Sequence, residues 1–401
     1  MNMVLNDVCE VYSGYALKSF NEGKEGFPVI KIGNILTDGR LSLEDCQYTT
    51  ETVNTKYYSQ KDDVYVALSG ATTGKIGLME TDESYVINQR VGIVRRKDKK
   101  IPSRFIKYFL LKQTERILQE AAGCAQPNIS PKQIGAYTFP SFSSEKMEEI
   151  TRELDKVTNV IQYRYKQNNL LDCLIKARFV EMFGDLRANS KGWPIHTFRE
   201  ITEIITDGEH ITPRRVDHGI YLLSARNVLD HSLQLDDVDY IDQEEYERIS
   251  KRIVPMAGDV LISCSGSVGR CCMVPIGLKF QMVRSVAILR FKNILVPKYA
   301  EYMISSDELQ DQISRAKTAS SQANLFQGKI AELKGFVPPL ELQKKFVDFV
   351  EQVDKSKVVV PSKIKNAIFA IMLSVSFGQI TSIKKNTLLR ISKRKHHEII
   401  T

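Results

Sequence analysis

One block of this sequence recurs, in the same internal order, about 195 residues further along the chain. Asp63-Val64-Tyr65-Val66-Ala67-Leu68-Ser69-Gly70 returns as Asp259-Val260-Leu261-Ile262-Ser263-Cys264-Ser265-Gly266. Around it, Asn34-Ile35 answers Asn227-Val228, and Val91-Gly92-Ile93-Val94-Arg95 answers Val286-Ala287-Ile288-Leu289-Arg290. Gln126-Pro127-Asn128-Ile129 answers Gln322-Ala323-Asn324-Leu325, and Ile134 to Pro140 answers Ile330 to Pro338 with two extra residues. Solenoid units repeat every ~20 to 50 residues, so a period this long marks a duplicated domain. Two related modules on one chain suit a target with two parts.

Composition sets few limits. A chain of 401 residues with 43% hydrophobic and 26% charged side chains is an ordinary globular protein, long enough for two or three cores. The start lacks the basic-then-apolar pattern of a signal peptide, and the weakly polar run Ala367 to Ile380 is too short to span a bilayer. Seven cysteines form no C-x-x-C pair and no zinc-spaced set with histidine, which places the chain in a reducing cytoplasm. Vicinal Cys271-Cys272 reads as strand filler. The net charge of +8 is local: residues 358–401 hold eight Lys/Arg and one Glu, leaving 48 basic against 47 acidic side chains elsewhere. Nucleic-acid binding by the body therefore needs a local patch rather than a global field.

Residues 1–142 form the first module. Phe27 to Ile32, Val64 to Leu68 and Val86 to Val94 read as short strands, and Pro102 opens a helix expected to run to about Gln119. A different texture occupies 143–185. Ser143-Ser144 supplies an N-cap, Gly184 a stop, and Met147, Ile150, Leu154, Val157 and Ile161 step as a heptad seam. Continued, that seam runs through Arg164, Asn168, Leu171, Ile175, Arg178 and Met182, giving a helix of ~60 Å at ~1.5 Å per residue. The second module covers 186–338. In 339–401 the helix pattern restarts with Phe346, Val350 and Val353, and is interrupted after Lys357 by Pro361 and a basic tail. The expected fold is α+β: two duplicated recognition domains joined by long heptad helices, with the second arm lost or replaced after Lys357. The tail from about 361 is expected to be poorly ordered, with the central helix pairing with a second copy or the chain assembling weakly.

Several phrases together carry a resemblance. They are Gly26-Phe27-Pro28-Val29-Ile30-Lys31-Ile32-Gly33-Asn34-Ile35, Gln126-Pro127-Asn128-Ile129-Ser130 and Asp207-Gly208-Glu209-His210-Ile211-Thr212-Pro213. Gly258-Asp259-Val260-Leu261 and Pro338-Pro339-Leu340-Glu341-Leu342-Gln343 complete the set. In this order, separated by a long heptad helix, they make residues 1 to about 357 resemble the DNA-specificity subunit of Type I restriction-modification systems. The resemblance implies two target-recognition domains held apart by antiparallel helices, each reading one half of an asymmetric, interrupted double-stranded DNA site. It also implies no catalytic centre in this chain. Two modification subunits would supply adenine methylation with S-adenosylmethionine, and through them restriction subunits would bring ATP- and Mg-dependent chemistry.

Motifs that invite an enzyme reading do not complete one. Ser69-Gly70-Ala71-Thr72-Thr73-Gly74-Lys75 has three residues between its glycines and Ile76 after its lysine, where a phosphate loop needs four and then Ser or Thr. It reads instead as a strand-ending turn whose backbone amides and Lys75, like Arg270 in the repeat, suit a DNA phosphate. Val337-Pro338-Pro339-Leu340 lacks the acid or amide before, and the aromatic after, of an amino-methyltransferase motif, and His210 has no Ser, Cys or acidic partner at a telling spacing. For base reading, Arg or Lys suits guanine and Asn or Gln suits adenine. The candidates are Lys31, Asn34, Lys75, Gln89 and Arg90 in the first module, with Arg214, Arg215, Arg226, Asn227, Arg270 and Arg284 in the second. Gln126/Asn128 and Gln322/Asn324 fit either base reading or turns. The competing readings are a methyltransferase or nuclease fragment, and a coiled-coil scaffold that touches no DNA.

Overall fold

The computed structural model describes residues 2–21, 23–122, 127–317 and 324–357. The expectations for the tail beyond Pro361, and the turns at Gln126 and Gln322, lie outside the described residues. Two compact units divide at Arg164 and Tyr165.

In the first unit a four-stranded sheet is built from β1 (Cys9–Ser13), β4 (Val64–Ala67), β5 (Ile76–Leu78) and β7 (Val91–Arg96), in the order β1-β7-β4-β5. A three-stranded sheet joins β2 (Phe27–Ile30), β3 (Gln47–Thr49) and β6 (Val86–Ile87), in the order β3-β2-β6, with β2 and β6 parallel. The second unit repeats both. Its strands β8 (Thr202–Asp207), β11 (Val260–Ser263), β12 (Cys271–Met273) and β14 (Val286–Phe291) order as β8-β14-β11-β12. β9 (Ile220–Leu223), β10 (Asp239–Ile241) and β13 (Phe280–Met282) order as β10-β9-β13, again with one parallel pair. The mixed helix and sheet content makes the fold α+β.

The central strand of each four-stranded sheet is apolar without alternation because both of its faces are covered. Val64, Val66 and Leu68 enter one core with the helices, while Tyr65 and Ala67 enter another with the three-stranded sheet. In the repeat, Val260, Ile262 and Cys264 face the helical core, and Leu261 the other. Cys271 and Cys272 fill β12, and burial pushes the Cys272 thiol up to about 12.

Two local expectations change. Val86 to Val94 is not one strand: Asn88 turns the chain, its carbonyl accepting from the Val91 amide at 2.9 Å, so that β6 and β7 serve different sheets. The helix after Pro102 is likewise two, α1 (Ser103–Lys112) and α2 (Thr114–Ala121). Thr114 Oγ1 donates to the Leu111 carbonyl at 2.8 Å, offering the last turn of α1 a side-chain partner. The repeat breaks at the matching place, between α4 (Pro297–Ile304) and α5 (Asp307–Ala316), where Ser306 Oγ donates to Met303 O at 2.6 Å.

Helix α3 (Ser144–Phe183) is 40 residues long, as its heptads require. Ser143 Oγ accepts from the Lys146 amide, and Gly184 ends the helix at φ 80°. In the first unit Met147, Ile150 and Leu154 enter the core, while Tyr108 Oη donates to Asp155 at 2.7 Å. In the second unit the fully buried stripe is Ile175, Phe179 and Phe183, with the expected seam residues Leu171 and Met182 half-buried against the same core. A step of four repeated is what a helix adopts when it packs into a globular core instead of supercoiling along a seam. There it meets α6 (Leu340–Ser356), whose Phe346, Val350 and Val353 are buried. The two run antiparallel, with Phe346 beside Phe179 and Phe183, and Lys357 ion-paired to Asp172 at 2.7 Å.

Each unit also carries the same buried carboxylate–guanidinium fork. Asp63 accepts from Arg95 Nε at 2.8 Å and Nη2 at 2.6 Å, and Asp259 from Arg290 Nε and Nη2 at 2.8 Å. Each aspartate also takes one amide at 2.8 Å, from Gln60 or Met256. Removing one partner of such a pair strands the other away from water, at a cost of about 3 kcal/mol. The single tryptophan, Trp193, lies in the second unit. Asp259→Ala is therefore expected to lower the denaturation midpoint reported by tryptophan fluorescence, and Asp63→Ala to leave it nearly in place. An equal shift for both would show that the units do not unfold separately.

Candidate nucleic-acid interface

The duplicated topology gathers loops at the ends of the strands. In the first unit, Gln89 N donates to Tyr15 O at 2.8 Å, Leu68 N to Arg90 O at 2.9 Å and Asn88 N to Ile30 O at 3.0 Å. These bonds set the 88–90 turn beside the end of β1, the end of β4 and the residues after β2. The second unit repeats them, with Arg284 N donating to Glu209 O at 3.0 Å, Cys264 N to Ser285 O at 2.8 Å and Val283 N to Leu223 O at 3.0 Å. Glycine is required at the crossing. A Cβ on Gly14 would lie 2.3 Å from Ile87 O, and one on Gly208 2.3 Å from Met282 O.

Gln89, Arg90 and Arg284 are exposed on these turns, and their side chains have no ion-pair or hydrogen-bond partner among the described residues. Lys75 and Arg270 follow the glycine turns after β4 and β11 and are half-buried, likewise unpaired among the described residues. Lys31 donates to Gln47 Oε1 and its Nζ sits 3.3 Å from the centroid of the Phe20 ring. Partial burial lowers the Lys31 pKa from its ordinary value. An open cleft of about 580 Å³ adjoins this pair, lined in part by Asn34, Asp45 and Gln47.

The asparagine candidates are corrected by their surroundings. Asn227 is fully buried: its Oδ1 accepts from Ser224 N at 2.9 Å, and its Nδ2 donates to Gln234 O and Asp237 O. Asn34 does the same work, accepting from Lys31 N at 2.9 Å and donating to Ser42 O at 3.0 Å. Both amides hold the turn after the middle strand of the three-stranded sheet; Asn227 is shut away from any base, while Asn34 stays half-buried at the cleft. The Ser69–Lys75 turn also loses part of its expected role. The amides of Gly70, Thr73, Gly74 and Lys75 all donate to chain carbonyls, so these four cannot cradle a phosphate. Lys75 itself is what remains.

Three arginines of the second unit are held by acids. Arg214 pairs with Asp242 at 2.8 Å and Glu244 at 2.9 Å, and its pKa is raised first by the hydrogen bond to Glu244. Arg215 and Arg226 each meet Asp239 at 3.1 Å. His210 lies 3.0 Å from Asp207, which also takes Arg252 at 2.6 Å, in an exposed turn. The expectation that His210 has no acidic partner is corrected by Asp207, three positions before it. Sequence reading missed the arginines' carboxylates, because they lie 13 to 45 positions away. It also missed Gln343, whose Oε1 accepts from Val296 N at 2.8 Å and whose Nε2 donates to Pro338 O at 2.7 Å and Ile294 O at 3.0 Å. That glutamine, from the Pro-Pro-Leu-Glu-Leu-Gln phrase, docks the start of α6 and does no chemistry. Among the described residues no group of three or more His, Cys, Asp or Glu side chains could hold a metal ion, and no helix is long and apolar enough to cross a membrane.

A duplicated α+β unit, with polar and basic loops gathered at one end and a 40-residue helix after the first copy, defines a class of two-part recognition subunits. The chain belongs to the family described as the Type I restriction modification DNA specificity domain, whose pattern matches residues 1–172 and 226–369. It is 24% identical over 177 residues to the Type I restriction enzyme MjaVIII specificity subunit of Methanocaldococcus jannaschii, a match covering 42% of this chain and 41% of that protein. The aligned stretch thus spans under half the length of the curated relative. The fold is that of the Type I restriction-modification system S subunit from M. genitalium, with a TM-score of 0.50, 17% identity and 94% coverage of both chains.

The asparagine geometry gives a direct expectation. Asn227→Ala leaves buried groups unpaired and should cost the second unit about 1–3 kcal/mol of stability, measured by tryptophan fluorescence in urea. Binding-site selection on the folded fraction should return the wild-type sequence preference. An altered preference at one base would return Asn227 to the reading surface.

Proposed function

We propose that this chain is the DNA-reading subunit of a Type I restriction-modification complex, with each unit contacting one half of an asymmetric, interrupted duplex site. One observation carries the reading: the same backbone framework is built twice, yet the loop positions it presents carry different side chains. Gln89 stands where Arg284 stands, and Arg90 where Ser285 stands. Two copies reading one repeated sequence would have no need to differ there. Two copies reading unlike half-sites must.

In this reading the chain has no reaction of its own. Two modification subunits bind it and methylate adenine with S-adenosylmethionine, and restriction subunits join through them with ATP and Mg. The purified chain is expected neither to methylate nor to cut DNA, and to direct adenine methylation when co-expressed with its modification partner. Replacing residues 1–142 with the equivalent module of a relative should change one half of the methylated site. Methylome sequencing of the exchange checks this, and a change in both halves would count against independent readers.

Lys75 and Arg270 serve phosphates rather than bases. Lys75→Ala and Arg270→Ala are expected to weaken binding to all sequences alike, each lowering the slope of log affinity against log salt by about one. A sequence-dependent loss would place that side chain in a groove instead.

A further inference from the structure

The two units place a matching cluster at one strand position and give it unlike chemistry. Gln47 lies opposite Val29 across β3 and β2, and Asp239 opposite Leu222 across β10 and β9. Val29 and Leu222 are themselves equivalent, because each precedes by one the residue that pairs with the end of the parallel strand, Ile30 with Ile87 and Leu223 with Met282. Gln47 and Asp239 therefore occupy the same place, the first residue of the edge strand. The flanking loops correspond as well. Phe20 precedes the bridge between Asn21 and Tyr48, and Arg215 precedes the bridge between Val216 and Tyr240.

At that place each unit has an acceptor that holds a cation from the turn after its central strand. In the first unit, Gln47 Oε1 accepts from Lys31 Nζ, which also sits over the Phe20 ring. In the second, the two oxygens of Asp239 are divided: Oδ1 takes Arg226 Nη2 and Oδ2 takes Arg215 Nε, each at 3.1 Å. All these groups stay accessible, with side-chain exposures of 49% for Arg226, 50% for Arg215 and 31% for Asp239. At such exposure the pairs add little to stability. They hold their cations at the surface.

Holding matters because a guanidinium on a flexible stem loses rotamer freedom when it meets a base edge, and a fixed one has already lost it. With Nε engaged, Arg215 keeps both terminal nitrogens for the paired acceptors of a guanine edge. Each Asp239 oxygen already accepts from one arginine, which fits a part in orienting the arginines.

We infer that Asp239 and Gln47 are the positioning residues of the two half-site readers, setting Arg215 and Arg226 in one unit and Lys31 in the other against guanine-bearing positions. This rests on the DNA-reading function proposed above, and the test separates the two. The full chain, co-expressed with the modification subunits of its own operon, is put through selection on randomised duplexes as wild type, Asp239→Asn, Asp239→Glu, Arg226→Ala and Gln47→Ala. Asp239→Asn removes the charge without changing the side chain's size. It should reduce discrimination about tenfold at one or two adjacent positions of one half-site. Arg226→Ala should strike the same positions, and Asp239→Glu should restore most of the preference. Gln47→Ala should relax one position in the other half and leave this one alone.

A uniform loss of affinity on Asp239→Asn with an unchanged preference would show a merely structural carboxylate and overturn the inference. So would Asp239→Asn and Arg226→Ala altering different half-sites. Both outcomes leave the DNA-reading function standing. A wild-type chain that selects no sequence would remove that function and this inference together.

Discussion

The candidate interface hangs on one backbone crossing, made twice. Where β1 ends, Gly14 passes so close to the carbonyl after β6 that no side chain fits, and Gly208 does the same after β8. That crossing allows Tyr15 O to accept from Gln89 N, and Glu209 O from Arg284 N. It thereby locks the turn that leaves the three-stranded sheet against the strand of the four-stranded one. β2 can then lie parallel to β6, although parallel strands need a covered connection and are rarely so short. The loops at this end inherit their positions from the crossing rather than from contacts of their own. Their side chains are free to differ between the copies.

The far end of each sheet is held by different means. The Asp63–Arg95 and Asp259–Arg290 forks tie the start of one central strand to the neighbouring strand, with the carboxylates buried and the guanidiniums largely so. A bidentate pair of this kind constrains register as well as contact, since a shift by one residue would turn the arginine to the opposite face. Buried charge thus sits where the frame must be unique, and exposed charge sits at the loops where partners can exchange.

Much of this was legible in the sequence. The duplication, the strand run at Val64 to Leu68, the 40-residue helix with its Ser143 cap and Gly184 stop, and the restart at Phe346 all follow from spacing and residue type. What escaped was decided by contacts distant in sequence. A run such as Val86 to Val94 reads as one strand because nothing local says that its halves join different sheets. Asn34 and Asn227 look like adenine readers, because an amide that closes a turn and one that reads a base have the same formula. Only burial and partners separate them. The heptad register leaves Arg178 and Met182 only half-buried, Met182 against the core and Arg178 over Phe349, while Phe179 and Phe183 take the deepest places beside Tyr299 and Phe346. Asp239 carried no motif at all.

Charge balance at the second unit's loops bears on how such a reader discriminates. Exposed ion pairs like those of Asp239 contribute at most about 1 kcal/mol, so their part is orientation more than stability. They also offset the local field that would draw any duplex. Nonspecific affinity grows with the number of phosphates that cations neutralise, whatever the sequence. A loop surface whose arginines are already matched by carboxylates gives little of that affinity to unrelated DNA. A guanine edge differs from a lone phosphate in offering two acceptors at fixed spacing, which an oriented guanidinium meets with both terminal nitrogens. In the proposed reading, the acids beside Arg215 and Arg226 hold nonspecific binding down while orienting the arginines for a base edge. With the body outside the 358–401 tail carrying 48 basic against 47 acidic side chains, the proposed selectivity rests on placed charges and not on their excess.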